Sequence, residues 1–369
     1  MRDFTLHARE FGQFSVPHSF CLAGEKQHLL GLGSIVFASD SHLEVEVHET
    51  LEDFHIRLVS GTETSAGKNA LDRLKHAILE TTRYDSDELH GLDICLSYGN
   101  WQACCRNEEL LSSPAAGVAL AAAVFAHRGP DRQIREKELL ETAGMLLESA
   151  SGERRIHPQQ FDARCCASLR GGAMYLSSTG EPLNIQWILP SESVVLVLDP
   201  EGEPQPGRQQ WEEDLLSALQ KMDGASKLIS QTEDDIGALF EMTDGKLTDT
   251  EISILYGLLR VREMIQTRIE KMAPVTDNDR LAEICDEESA LIQDYMGFPD
   301  TRLPELRKEA VEAGALGAKL TFAFGNRPGL ILLAPNRREE VVSTMGEELG
   351  EEYVVPLNID HNGLKAEIG

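Results

Sequence analysis

The chain has no run of about eighteen apolar residues, the length a membrane-spanning helix needs. Met1–Leu30 carries charges throughout and lacks the apolar stretch of a secretory signal. The protein is therefore expected neither to insert in a membrane nor to be exported by that route. Positive charge is scarce: 34 Lys and Arg stand against 62 Asp and Glu, a formal net charge of −28. A field of that sign repels nucleic acid and anionic lipid and excludes both as main partners. It also opposes ATP at long range, so a nucleotide site here needs local positive potential. Spaced C-x-x-C metal patterns are lacking too. Seven cysteines in so long a chain fit a reducing cytosol better than a disulfide framework, and a cytoplasmic location is expected. The adjacent pairs Cys104–Cys105 and Cys165–Cys166 stay open between a thiol or metal site and small buried residues. No internal repeat or low-complexity tract occurs. What remains is an ordinary globular composition, 41% hydrophobic and 26% charged. At 369 residues the chain is long for one core, which points to two domains.

The most informative stretch is Glu108–His127, EELLSSPAAGVALAAAVFAH. Ser112 and Ser113 precede Pro114, and an uncharged, alanine-rich run follows. A serine at the N-cap accepts a backbone N–H, and proline at the first helical position has no N–H to satisfy. The sequence therefore predicts a helix with close neighbours on every side. The start of such a helix is either an anion site or a capped core element. Arg154, Arg155, Arg164 and Arg170 fall close together, and fit either an anion clamp or a solvated face.

Phe20–Gly33 reads as an apolar strand running into a glycine-bearing turn around Gly24, Gly31 and Gly33. Apolar spacing predicts strands over 35–37, 43–47, 55–59 and 92–96, and a helix over 69–82. Residues 98–109 read as a loop. A helix over 133–150 follows, then strands over 173–176, 185–189 and 193–198. Residues 199–209, with three prolines and two glycines, form the clearest loop. The second half reads as helices over 210–222, 234–241, 248–272, 278–296 and 304–312, then a strand pair over 318–324 and 329–333. A helix over 337–348 and strands over 353–357 and 364–368 close the chain. Both halves mix helices with strands in an α+β pattern, divided at about residues 180–200 and taken as 1–185 and 186–369.

Three stretches, in this order and separation, resemble the three motifs of the GHMP kinase superfamily, with galactokinases the nearest branch. Pro17–Gly33, PHSFCLAGEKQHLLGLG, is similar to the opening motif, with Pro17, Leu22, Gly24, Glu25 and Gly31 in place. Ser112–Ser113–Pro114–Ala115–Ala116 is similar to the phosphate loop, and Gly317–Gly329, GAKLTFAFGNRPG, to the late glycine-rich hairpin with Thr321 and Gly325 in place. The resemblance implies a two-domain GHMP-kinase-like fold, each domain a mixed or antiparallel sheet packed with helices. It also implies ATP- and Mg2+-dependent phosphoryl transfer to a small-molecule hydroxyl, which depends on positioning and charge stabilisation. Ser112, Ser113, Ala115 and Ala116 would line the nucleotide phosphates, with Ser113 on the Mg2+. Glu25, Lys26, His28, Arg164 and Thr321 would face the substrate or ligand.

The chain departs from this pattern where particular atoms are needed. Ser19 stands in place of the galactokinase arginine, and His28 in place of a sugar-binding aspartate. Arg106–Asn107–Glu108–Glu109–Leu110–Leu111 replaces glycines that would let a bare backbone wrap phosphate. Phe322 and Ala323 replace small glycines in the hairpin. Counting back from Gly171–Gly172 puts Arg164 where the catalytic base belongs, and an arginine cannot give up its proton at neutral pH. Asp162, two residues earlier, is the remaining candidate base, or else a capping acid. Two functions follow from the resemblance. One is a ligand-binding relative with impaired or lost phosphoryl transfer, taking a sugar-like or anionic small molecule. The other is an active divergent sugar kinase. Both require Gly24, Ser113 and Arg164 to come from elements packed together, whereas an unrelated interaction protein does not.

Overall fold

The computed structural model describes residues 12–24, 27, 33–59, 65–82, 84, 87–128, 135–151, 162–176, 182–185, 192–200, 206–221, 246–269, 278–295, 302–323 and 327–366. In chain order these form β1 (Gln13–Ala23), β2 (Ser34–Glu49), β3 (His55–Leu58), α1 (Ser65–Thr82), β4 (Leu92–Ser97), α2 (Trp101–Cys104), α3 (Asn107–Leu111), α4 (Pro114–Arg128), α5 (Glu136–Ser151), α6 (Ala163–Arg170), β5 (Ala173–Leu176), β6 (Pro182–Ile185) and β7 (Val194–Leu198). Then come α7 (Pro206–Lys221), α8 (Asp249–Ile269), α9 (Asn278–Tyr295), α10 (Leu303–Ala313), β8 (Gly317–Ala323), β9 (Arg327–Leu333), α11 (Arg338–Leu349), β10 (Val354–Leu357) and β11 (Lys365–Ala366). No helix among these residues is long and apolar enough to cross a membrane.

The expected α+β architecture is present. One sheet has the order β11-β1-β2-β4-β3, with β5 pairing to β2 and β6 to β5. It is antiparallel except for the parallel β3–β4 pair, and so is mixed. The second sheet, β10-β7-β9-β8, is antiparallel throughout. The helices pack around these sheets in two buried clusters. Strand β7, VVLVL, is buried at every position. Because successive side chains point to opposite faces, Val195 and Val197 join the second cluster while Val194, Leu196 and Leu198 join the first. Ile331 and Leu333 of β9 repeat this pattern. The second sheet therefore presents one face to its own helices and the other to the N-terminal core.

Several elements differ from the sequence reading. β1 begins at Gln13 rather than at residue 20, because Phe14 and Val16 are core residues. Residues 35–37 and 43–47 belong to one strand, β2. The polar stretch between them reads as a break, but each side chain finds a partner. Ser39 donates to His18 O, Asp40 receives Asn358 N–H, and Ser41 is bonded by Trp101 Nε1. The expected loop over 98–109 holds α2 and most of α3. Part of the expected loop over 199–209 is the start of α7, where Pro206 occupies a first-turn position that needs no N–H partner. The expected helix over 234–241 lies outside the described residues.

Residues 358–366 return to the N-terminal sheet. β11 pairs with β1 at Phe14 and Ser15, and Asp360 N–H donates to Ala38 O while Gly172 N–H donates to Asp360 O. The buried Asp360 carboxylate accepts from His42 Nε2 at 2.6 Å, Lys365 Nζ at 2.8 Å and Asn362 N at 2.6 Å. Burial alone would raise its pKa. The Lys365, Asn362 and His42 bonds outweigh this and hold it below the ordinary aspartate value. A carboxyl with a depressed folded pKa contributes stability that is present above the unfolded value of about 3.9 and is lost as pH falls through the lower folded value. Asp360→Asn is expected to cost about 2 kcal/mol at neutral pH. It should also flatten the acid limb of stability, as read by urea unfolding across a pH series.

Candidate functional site

The buried run foreseen in the sequence is α4. Every residue from Ala115 to Ala126 that is hydrophobic is at most 5% exposed. Gly117 lies so near α5 that a Cβ there would sit 2.6 Å from Ala143 O. Ser113 caps the helix: its Oγ accepts Ala116 N–H at 3.3 Å, and its carbonyl accepts Gly117 N–H. Upstream, where phosphate-loop glycines were expected to be missing, the chain forms the short helix α3. Glu109, 4% exposed, folds back to accept Arg106 N–H at 2.8 Å. Leu110 and Leu111 are buried beside it.

The backbone donors of this segment are used inside the chain. Ser112 N–H donates to Glu108 O, Ser113 N–H to Leu110 O, and Ala116 N–H to Ser113 Oγ. Pro114 has none, which leaves Ala115 as the remaining backbone donor of the five. The Ser112 hydroxyl donates to Glu109 O at 2.9 Å. The Tyr98 hydroxyl lies toward Ser113, outside good hydrogen-bond geometry, and burial pushes its pKa up. Ser112, Ser113, Ala115 and Ala116 are all at most 5% exposed.

The first motif meets α6 directly. Ser19 Oγ donates to Arg164 O at 2.8 Å and receives Ser168 Oγ at 3.0 Å. β1 packs against both α4 and α6, so the elements carrying Gly24, Ser113 and Arg164 are neighbours. Asp162 is the N-cap of α6. Its carboxylate accepts Arg164 N–H at 2.8 Å, Arg164 Nε at 3.1 Å and Arg164 Nη2 at 2.9 Å, and both side chains are buried. Arg170 is likewise paired, with Glu136. Arg154 and Arg155 lie outside the described residues, as do Glu25, Lys26 and His28. His18, adjacent to Ser19, is fully buried, and burial followed by repulsion from His42 lowers its pKa to about 3. It is neutral at physiological pH and supplies no charge to an anion.

Thr321, 1% exposed, sits on β8 opposite Gly329. The same strand carries Lys319, which is fully buried, as is Glu288 on α9. Neither was singled out in the sequence. The available signal was a lone lysine in the otherwise uncharged strand GAKLTFA, since a buried lysine requires a partner. All seven cysteines are free and buried, and burial raises the Cys166 thiol to about 12, which makes it unreactive. Among the described residues no group of His, Cys, Asp or Glu is arranged to hold a metal ion.

No family profile and no curated protein matches the sequence. Solved structures do. Galactokinase from Lactococcus lactis, complexed with galactose, superposes with a TM-score of 0.72 at 14% identity, over 98% of this chain and 97% of that one. Mevalonate kinase from Methanococcus jannaschii gives 0.59 at 13% identity over 100% of both chains. Mevalonate diphosphate decarboxylase from Enterococcus faecalis gives 0.57 at 14% identity, over 97% of this chain and 99% of that one. At these identities the likeness is one of fold, and it extends along the whole chain.

Two substitutions test the bonding described above. Ser113→Ala removes the α4 cap and is expected to cost about 1 kcal/mol. Asp162→Ala strands the buried Arg164 guanidinium and is expected to cost about 3 kcal/mol or more. Denaturant unfolding of the two variants should rank them in that order. Equal effects would show that Asp162 is not the main partner of Arg164.

Proposed function

We propose that this chain, whose fold is that of the GHMP kinases, is a ligand-binding relative that no longer transfers phosphate. The observation that carries this reading is the commitment of the Ser112, Ser113 and Ala116 N–H groups to intrachain acceptors in a buried segment. A triphosphate is held by backbone donors that face it. Here those donors already have partners. ATP and Mg2+ do not fit these residues, and the reading takes no step through them.

The base position argues in the same direction. The resemblance to galactokinases implies a carboxylate beside the acceptor hydroxyl to take its proton. Arg164 cannot do so, and the Asp162 carboxylate is spent on capping α6 and pairing with Arg164. The pair is a structural acid–base couple with no net charge to offer.

The ligand is a small sugar or sugar acid held at the first motif. This is supported by the retained Glu25 in the sequence and by a fold shared with a galactokinase that was solved with galactose. Lys26 adds positive potential in a chain that is otherwise strongly acidic, which suits an anionic sugar. The acidic balance also supports a protein without nucleic-acid partners, and its seven cysteines one working in a reducing cytoplasm.

A thermal-shift titration tests this reading. Mg-ATP at millimolar concentration should leave the melting temperature unchanged. Galactose or galacturonate should raise it, since a ligand at about a hundred times its Kd stabilises the folded state by about 2.7 kcal/mol. A shift with Mg-ATP, followed by phosphorylated sugar in the reaction mixture, would overturn the reading in favour of an active divergent kinase.

A further inference from the structure

A buried pair of charges lies where the two halves meet. Lys319 and Glu288 are both 0% exposed. Lys319 Nζ donates to Cys21 O at 2.9 Å and lies 3.9 Å from Glu288 Oε1. Both Glu288 oxygens lie 3.0 Å from Gly24 N, which donates to that carboxylate. Gln27 is also fully buried. Its Nε2 donates to Leu258 O on α8 at 2.8 Å, and its N–H donates to Gly24 O at 3.0 Å. Three elements of the C-terminal half, α8, α9 and β8, thus converge on Cys21–Gln27 of the first motif.

This contact allows little relaxation. Gly24 has φ +84°, and a Cβ there would sit 2.7 Å from Gly33 O and 2.8 Å from Ser34 Cα. Desolvating an ion pair commonly costs as much as the attraction returns, so apolar side chains would serve cohesion alone at least as well. What the charges add is direction: the carboxylate takes the Gly24 N–H, and the ammonium takes the Cys21 carbonyl. Thr321 follows Lys319 by two residues along β8 and therefore projects from the same face. The pair sits between two of the three motif segments.

We infer that Glu288 and Lys319 are positioning residues, through which the C-terminal half sets the backbone of the Cys21–Gly24 segment and with it the affinity of the ligand site. The inference rests on the proposed ligand reading for its second clause only. By linkage, a ligand held at this segment tightens the junction of the halves, and loosening the junction weakens the ligand to the same degree.

The test uses the full chain and the variants Glu288→Gln, Lys319→Met and Lys319→Arg. Hydrogen exchange is followed at Gly24 and Gln27, with β4 and α4 amides as internal references. Galactose and galacturonate binding is measured in parallel by calorimetry. Glu288→Gln and Lys319→Met should each speed exchange at the two amides about tenfold or more while the reference amides keep their rates. The same variants should raise the sugar Kd about tenfold. Lys319→Arg, which keeps the charge, should recover most of both. If one variant fails to fold, the other carries the test. Unchanged exchange at Gly24 and Gln27 overturns the positioning role. Faster exchange with an unchanged Kd overturns the coupling. Faster exchange in variants of a wild-type protein that binds neither sugar upholds the positioning role and removes the ligand reading alone.

Discussion

A helix buried on every side must have its first backbone N–H groups satisfied without water. That constraint organises the N-terminal half. α4 is packed so closely that Gly117 leaves no room for a side chain against α5, and β1, β2 and α6 cover it elsewhere. In a nucleotide-binding protein, phosphate oxygens can meet the donors at such a helix start. Here the chain itself meets those of Ser112, Ser113 and Ala116. Ser113 caps, α3 supplies the carbonyls of Glu108 and Leu110, and Pro114 removes one donor. Arg106–Leu111, where the resemblance implies a glycine loop, includes a helix that adds to the core.

The position where the resemblance implies a catalytic base holds a buried ion pair. Arg164 and Asp162 neutralise one another inside the protein, and the Arg164 carbonyl receives Ser19, which stands where the resemblance implies a functional arginine. Two of the altered positions, Ser19 and Arg164, thus bond to one another. The face of the second sheet carried by Val194, Leu196 and Leu198 continues the N-terminal core. The seam this creates is closed by Glu288 and Lys319 on the turn at Gly24.

Much of the architecture was legible in the sequence because it rests on local signals. The Ser-Ser-Pro start and apolar run of α4, the β-branched run of β7 and the spacing of α1, α5 and α9 each define their elements. The misses have two causes, partners distant in sequence and elements too short to show a period. Ser39, Asp40 and Ser41 read as a break in β2 because His18, Asn358 and Trp101 are remote from them in the chain. α3 has five residues, too few to show a period, and its stability comes from the Glu109 cap and from burying Leu110 and Leu111. The three motif segments were identified by resemblance. That Ser19, Arg164 and Ser168 form one hydrogen-bonded chain, and that Asp162 pairs with Arg164, could be read only from packing. Glu288 and Lys319 carried a sequence signal that ordinary amphipathic patterning hides.

The claim that the chain supplies its own phosphate-loop partners is tested most directly at the amides themselves. Nitrogen-15 spectra of the protein, recorded while Mg-ATP is added, report on Ser112, Ser113, Ala115 and Ala116 individually. The account predicts that these four resonances stay in place up to millimolar nucleotide. Progressive, saturable shifts at Ser113 and Ala116 would mean that the intrachain bonds yield to phosphate, and would contradict it.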